Sequence, residues 1–475
     1  MSRTTNVDLC VIGAGSGGLS VAAGAAQMGA RVVLIEKHKM GGDCLNYGCV
    51  PSKALLAAAH AAETIRRSGR FGVNGHEPAV DFAAVNRHVH GVIAGIAPHD
   101  SVERFEGLGV DVRQGAGRFV GPREVMVNDE TIRAKFTVVA TGSRAAIPEI
   151  AGLHGVPYLT NETIFDLATA PERLIVLGGG PIGCELAQAH RRLGVAVTLV
   201  TRRGVLPKDD PECGNVVART LAADGIELVQ HAETISVARS GNGIAVKVCQ
   251  GEQMRRLEGS HLLVATGRRA NVEGLDLDKA GIATYPAGIS VDERLRTSNR
   301  RVFAIGDVTG GPQFTHMAGH QAGVVIRNTL FRMPAKAEKT AVPWVTFTDP
   351  ELAHVGLGEA AARERHGDRV TVVRVPFSEI DRARAERRDE GFAKVVIGKG
   401  GRILGCTIVG AHAGELLLPW VLAIGNKLKI GAMAGVIAPY PTLGDISKRA
   451  AGAYFTPTLF SPRVKRVVRT LLAFA

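Results

Sequence analysis

The chain has 475 residues, 45% hydrophobic and 21% charged, with 58 glycines, a globular composition with room for about three domains of ~150 residues. Its 57 Lys and Arg exceed 45 Asp and Glu, a formal charge of +12. The basic residues are dispersed and aromatics make up only 5%, so base stacking has little to work with and no nucleic-acid partner is expected.

Seven cysteines, odd in number and scattered, do not make the framework of a secreted disulfide scaffold. The opening MSRTTNVDLCVIGAG carries no charged-then-apolar leader, and no apolar run is long enough to cross a bilayer. A cytoplasmic location is expected. In a reducing compartment a lone close pair of cysteines is catalytic more often than structural.

Residues 7–12 (VDLCVI) read as a short strand, followed by Gly13, Gly15 and Gly18 in a GxGxxG turn, a helix, and the strand RVVLIEK containing Glu36. This is a dinucleotide-binding unit. Gly13 permits the tight turn, Gly15 lets the backbone approach a pyrophosphate, and Gly18 lets helix and strand pack closely. The anion would sit on the helix N-terminus, and Glu36 would accept hydrogen bonds from a ribose hydroxyl pair.

Next comes GGDCLNYGCVPSKAL, residues 41–55, with Cys44 and Cys49 five apart. On a regular helix, Cα atoms at i and i+5 stand ~8–9 Å apart, beyond the ~4.4–6.8 Å of a disulfide. Gly41, Gly42, Asn46 and Gly48 supply the irregularity that bridging needs, and Val50-Pro51 marks a helix start. Cys49 is therefore expected at a helix N-terminus, where dipole and free N–H groups favour a thiolate. Cys44 is expected further out, on a loop. Zinc would need a second pair of ligands at clip spacing, and none is present.

Two segments, FTVVATGSR (136–144) and HLLVATGRR (261–269), repeat an apolar strand ending in Ala-Thr-Gly, making Thr141, Gly142 and Gly267 candidate cofactor contacts. Between them the glycine turn returns as Gly178, Gly180 and Gly183, with a helix and the strand VAVTLV. Here the acid is replaced by Thr201, Arg202 and Arg203. Guanidinium groups grip a 2′-phosphate that a carboxylate would repel, so NADPH is expected in the second site. Further on, RVFAIGDVTGG places Asp307 at a strand end, suited to a polyol hydroxyl or phosphate.

In this order the elements resemble the pyridine nucleotide–disulfide oxidoreductases, over nearly the whole chain, with CxxxxC-VPSK as the most specific signature. The resemblance implies an α/β fold with two Rossmann-like domains, one inserted in the other, and a C-terminal α+β dimerisation domain. It implies FAD in the first site, with Asp307 near the ribityl chain, and a homodimer. The implied boundaries are 1–150 and 273–340 for the FAD domain, 151–272 for the NADPH domain and 341–475 for the interface domain, whose first strand AVPWVTFTDPELAHVG resembles. Electrons would run from NADPH through FAD to Cys49 and leave by Cys44. Lys53 would lie near the flavin and pair with Glu185 of GCELA.

One part of the pattern differs. Family members acting on glutathione or lipoamide carry a His-Pro-Thr segment followed by a glutamate, the histidine shuttling a proton across the dimer. This sequence has Tyr440-Pro-Thr and Asp445. Tyrosine, titrating near pH 10, is a poor base where histidine titrates near 6.5. Mercuric reductases also lack that histidine, yet they carry a paired-cysteine tail and a metal-capture module not seen in this sequence. The expected substrate is thus a small-molecule disulfide or a thiophilic metal. Two alternatives are a dihydrolipoamide dehydrogenase-like enzyme and an NADPH oxidase or quinone-type reductase. In the tail, apolar residues from Val464 interleave with Lys465, Arg466 and Arg469, the pattern of a basic amphipathic helix with weak membrane-surface contact. That pattern keeps open a membrane-docked redox sensor, peripheral to the inner membrane.

Overall fold

Residues Arg3–Ile12 form the central strand of a seven-stranded sheet, and Leu9, Cys10, Val11 and Ile12 are all buried. A near-continuous apolar run of this kind is what a strand covered on both faces requires. It pairs in parallel with Val32–Glu36 on one side and with Glu130–Val139 on the other. Val110–Gln114 continues the parallel set, while Arg118–Gly121 and Glu124–Val127 turn back antiparallel. The computed structural model describes residues 3–474.

The seventh strand arrives from far along the chain. Val302–Ala304 pairs in parallel with Thr137, Val138 and Val139. The intervening chain is thereby an insertion into the first sheet. It contains a second strand–turn–helix–strand unit, Arg173–Leu177, Pro181–Arg192 and Ala196–Thr201. Leu174 lies opposite Val197, and on its other side opposite His261 of the strand His261–Val264. The two Ala-Thr-Gly segments meet in a short ribbon, Ser143–Ala145 against Arg268–Ala270.

The molecule divides into two compact units. The first takes the chain through Gly178 together with Ala189–Val200 and Ala232–Ala337; the second takes Gly179–Gln188, Thr201–His231 and the chain from Glu338 onward. In the first, the alanine-rich helix Ser16–Gln27 shares a core with the helix Thr315–Thr329 through Leu19, Ala22, Ala25, Ala322 and Val325. Thr315 is the leading residue of its helix.

In the second unit a five-stranded antiparallel sheet runs Pro343–Thr346, Glu351–Gly356, Arg402–Gly410, Phe392–Gly398, Thr371–Pro376. Its core includes Phe377, Phe392 and the fully buried Trp420, whose indole N–H donates to Ser447 at 3.0 Å. AVPWVTFTDPELAHVG is two strands rather than one, because the turn at Asp349-Pro350 folds the segment back and sets Trp344 opposite His354. Among the described residues no helix is long and apolar enough to cross a membrane.

Candidate active site

The first glycine turn is held by sterics. Gly13 has φ +105°, and a Cβ on it would stand 2.5 Å from the Ala140 carbonyl oxygen; one on Gly18 would stand 1.8 Å from the Gly13 carbonyl oxygen. No other residue fits either place. A Cβ on Gly15, in contrast, would meet nothing nearer than the Gly42 Cα at 3.9 Å. No side chain caps the helix Ser16–Gln27, so its leading N–H groups stay available to an anion. Glu36 is buried and braces the turn, accepting from Ala14 N at 2.6 Å and His38 N at 2.8 Å. Each carboxylate oxygen keeps a further lone-pair direction for a ribose hydroxyl. This cradle fits the adenosine diphosphate part of FAD.

The cysteine segment packs directly against that turn. A Cβ on Gly42, which has φ +58°, would lie 2.7 Å from the Gly15 Cα. Cys44 sits in a short helix, Gly42–Asn46, rather than on a loop, because Gly41 in the left-handed region starts a turn that continues through Asn46. The chain then breaks at Tyr47 and Gly48, and a second helix, Cys49–Arg67, begins at Cys49 itself. A Cβ on Gly48 would press to 2.9 Å from the Asp43 carboxylate and 3.0 Å from the Asp43 carbonyl oxygen, so a side chain there would crowd the first helix.

Both sulfurs are free thiols, Cys44 half-buried and Cys49 exposed. Cys44 donates a hydrogen bond to Cys49, and this contact, with the Thr315 hydroxyl and the charge of Lys53, brings Cys49 down to about 6. Thr315 Oγ1 lies 3.3 Å from the Cys49 sulfur. Cys44 is driven the other way, far above the ordinary thiol range, by that same bond to Cys49 and by burial. The pair thus holds one proton, on Cys44, and one negative charge, on Cys49. Lys53 lies one turn into the helix, its Nζ donating to Ser52 Oγ at 3.3 Å.

Asp43, beside Cys44, is tied down on two sides. Asn161 Nδ2 donates to Asp43 Oδ1 at 3.0 Å, and Arg268 pairs with the same oxygen at 3.0 Å. Arg268 also reaches Asp307 at 3.7 Å and donates to the Ser143 hydroxyl and carbonyl. Ser143 donates to Asp307 at 2.5 Å. Burial raises Asp307 above the usual carboxylate range, opposed by Ser143 and Arg268. Thr141 and Gly142 stand at the base of this ribbon, where Thr141 donates to the Asn271 carbonyl at 2.7 Å and Gly142 takes φ +68°. Gly267, at φ +145°, faces open space across the ribbon.

The second glycine turn repeats the first in its backbone. Gly178 has φ +121°, a Cβ on it would lie 2.2 Å from the Ala265 carbonyl oxygen, and one on Gly180 would meet nothing within 4 Å. Gly183 is buried in the first turn of Pro181–Arg192. Arg202 and Arg203 are both exposed, on a loop that returns so that Leu206 N donates to the Gly179 carbonyl at 2.7 Å. Glu185 is buried, and its carboxylate accepts from Phe347 N at 2.9 Å.

Tyr440 is 71% exposed and its hydroxyl donates to Asp381 at 2.9 Å. That bond raises its pKa above the ordinary tyrosine value. Asp445 instead opens the helix Asp445–Ala453 and accepts from Arg449 at 2.7 Å. Of the 15 histidines, His316 stacks on Phe314 with centroids 5.2 Å apart, and His412 precedes the helix Ala413–Leu416 at φ 55°.

Sequence reasoning overlooked Thr315, Asn161, Ser143 and Arg268. Arg268 and Ser143 had a visible signal, since both follow the Ala-Thr-Gly repeats. Thr315 and Asn161 had none, because only tertiary packing brings them to the cysteines.

Two dinucleotide-type turns in one chain, with a thiolate–thiol pair built against the first, define a flavin-dependent disulfide oxidoreductase. A family model described as pyridine nucleotide-disulphide oxidoreductase matches residues 7–322, and a model of that family's dimerisation domain matches 342–451. The chain belongs to this family. It is 34% identical over 453 residues to a mercuric reductase of Staphylococcus aureus, covering 95% of this chain and 83% of the relative. It is 33% identical over 450 residues to a dihydrolipoyl dehydrogenase of Geobacillus stearothermophilus, covering 93% and 94%. Among solved structures, the Cu(II) complex of the HOCl-induced flavoprotein disulfide reductase RclA from Escherichia coli superposes with a TM-score of 0.84 at 25% identity, covering 94% of this chain and 99% of that one. The family is FAD-dependent and draws on a pyridine nucleotide, and the dimerisation domain indicates a homodimer.

Proposed function

We propose that this enzyme uses NADPH to reduce a thiophilic metal ion or a small-molecule disulfide at Cys44 and Cys49, with the metal ion favoured. The observation that carries the reading is a contrast in proton handling. Cys49 is held as a thiolate near neutrality, while Tyr440, in the position of the family's proton shuttle, is held protonated by Asp381. Reducing a disulfide releases thiolates that need a proton on departure, and a base that cycles near pH 7 serves this best. A soft metal ion asks only for sulfur ligands. The mercuric reductase relatives and the Cu(II) complex of RclA agree with that preference.

FAD, when bound, supplies the two-electron relay between the pyridine nucleotide and the cysteine pair. Gly13, Gly15, Gly18, Glu36, Thr141, Gly142 and Asp307 would hold it. Gly178, Gly180, Gly183 and Gly267 would line the NADPH site, with Arg202 and Arg203 on its 2′-phosphate. Lys53 would keep positive charge near the redox centre. Cys49 stores the charge that Thr315 and Cys44 stabilise. Cys44, once its proton leaves, attacks a substrate disulfide; Cys49 then displaces the mixed disulfide, restoring the Cys44–Cys49 bond and releasing two thiols. Tyr440 and Asp445 would serve the substrate end as hydrogen-bonding groups.

Steady-state assays with mercuric and cupric ions, oxidised glutathione, lipoamide and quinones test the substrate. The metal ions are expected to be turned over fastest, and serine at Cys44 and Cys49 is expected to abolish this. Undiminished turnover in the serine variants would assign the reaction to the flavin alone. NADPH should exceed NADH in kcat/KM by about tenfold or more, as two charge-assisted contacts allow. Parity between the two nucleotides would remove Arg202 and Arg203 from the site.

A further inference from the structure

We propose that the helix Pro462–Leu472 is a docking element for an anionic lipid surface. Its sequence separates two chemistries. Val464, Val467, Val468, Leu471 and Leu472 recur at i, i+3, i+4, i+7 and i+8, which on a helix is one continuous face. Arg463, Lys465, Arg466, Arg469 and Thr470 fill the rest. From Pro462 onward the sequence contains four Lys or Arg and no Asp or Glu, so the helix carries no acidic side chain of its own to offset those cations.

The helix is preformed, and four of the five residues on its apolar face are exposed. Ser461 caps it, accepting from Val464 N, with Pro462 at the first position; both devices favour a helix start. The neighbouring helix Asp445–Ala453 buries Ile446, Ala450 and Ala451 in the core of the second unit. Along the last helix Val464 is half-buried and the other four apolar residues are exposed, from 46% at Val468 to 70% at Leu472, and Leu459 and Phe460 just upstream add 57% and 66%. The helix also lies beyond residue 451, where the match to the family's dimerisation domain ends. A basic face alongside an exposed apolar face suits the headgroup boundary of an anionic bilayer, where apolar side chains sink ~5–10 Å and cations meet lipid phosphates. A protein partner with an acidic rim would need the same charges, but a uniform face without a hydrogen-bonding pattern favours a surface that has no fixed shape.

The FAD-loaded dimer is sedimented with vesicles of phosphatidylglycerol mixed into phosphatidylcholine, and with phosphatidylcholine alone. Full-length enzyme is expected to pellet with the anionic vesicles, release at high salt, and stay in solution with the neutral ones. Arg466→Gln and Arg469→Gln are each expected to weaken binding about fivefold, and Leu471→Glu to abolish it, while reductase turnover is unchanged in all three. Equal pelleting with neutral vesicles would overturn the proposal, as would wild-type affinity in Leu471→Glu. Sedimentation velocity covers the remaining case. If Leu471→Glu turns the dimer into monomers, the face belongs to a second copy of the chain and the lipid assignment falls.

Discussion

The cysteine segment and the loop from Ala438 to Asp445, the two ends of the proposed thiol exchange, are built in opposite senses. At Cys49 a thiol donor, a hydroxyl and a helix head converge to keep a proton off at neutral pH. At Tyr440 a carboxylate accepts the hydroxyl hydrogen and keeps the proton on. Electron transfer needs the first arrangement for every substrate in this family. Proton transfer is required only by some, and that is where this chain departs. On the proposed reading, substrate choice is set at the proton-handling end while the sulfur end keeps its chemistry.

Replacing Cys49 with serine should have the largest effect, a loss of about 10³-fold or more in turnover, since the group removed is the acceptor itself. In the companion Cys44→Ser variant, substrate reduction should fail while long-wavelength thiolate–flavin absorption persists; loss of that band with Cys44 would erase the distinction between the sulfurs. Tyr440→His should act in the other direction, raising lipoamide or glutathione turnover about tenfold, at the low end of what a positioned base contributes. No gain would mean that the loop does not serve the substrate end.

A pH titration of the reduced enzyme sharpens the same comparison. Cys49 is lowered from 9.0 to about 6, so the thiolate signal should be full at pH 8 and fade as pH falls through about 6. Tyr440 is raised, so ultraviolet difference spectra should show no tyrosinate from it in that range. Thr315→Val removes one donor to the thiolate, and the midpoint should rise by about half a unit to one unit, the equivalent of one hydrogen bond. Tyr440→Phe should be the mildest change, within about twofold for a metal substrate, because an exposed hydroxyl is lost without a cavity.

Much of this was legible in the chain. Both glycine turns stood out because the steric demand at Gly13, Gly18 and Gly178 admits one residue type, and such demands leave a mark in sequence. The start of a helix near Cys49 followed from proline and dipole arguments. Less legible was the short helix around Cys44, since a run of five residues has no periodicity to read. The strand pair within AVPWVTFTDPELAHVG was also hidden, its turn being set by a single Asp-Pro step. The second-layer contacts escaped for another reason. Thr315 is 266 residues from Cys49, and no spacing rule spans such a distance.

A Cβ on Gly42 would press to 2.7 Å from the Gly15 Cα, whereas one on Gly15 would stand 3.9 Å from the Gly42 Cα. The nucleotide cradle and the sulfur-bearing segment therefore share a seam with no side chain in it to be adjusted. Transplanting the CxxxxC segment into another nucleotide fold would fail unless Gly42 travelled with it. Inheritance faces the same restriction, so position 42 has little freedom to drift.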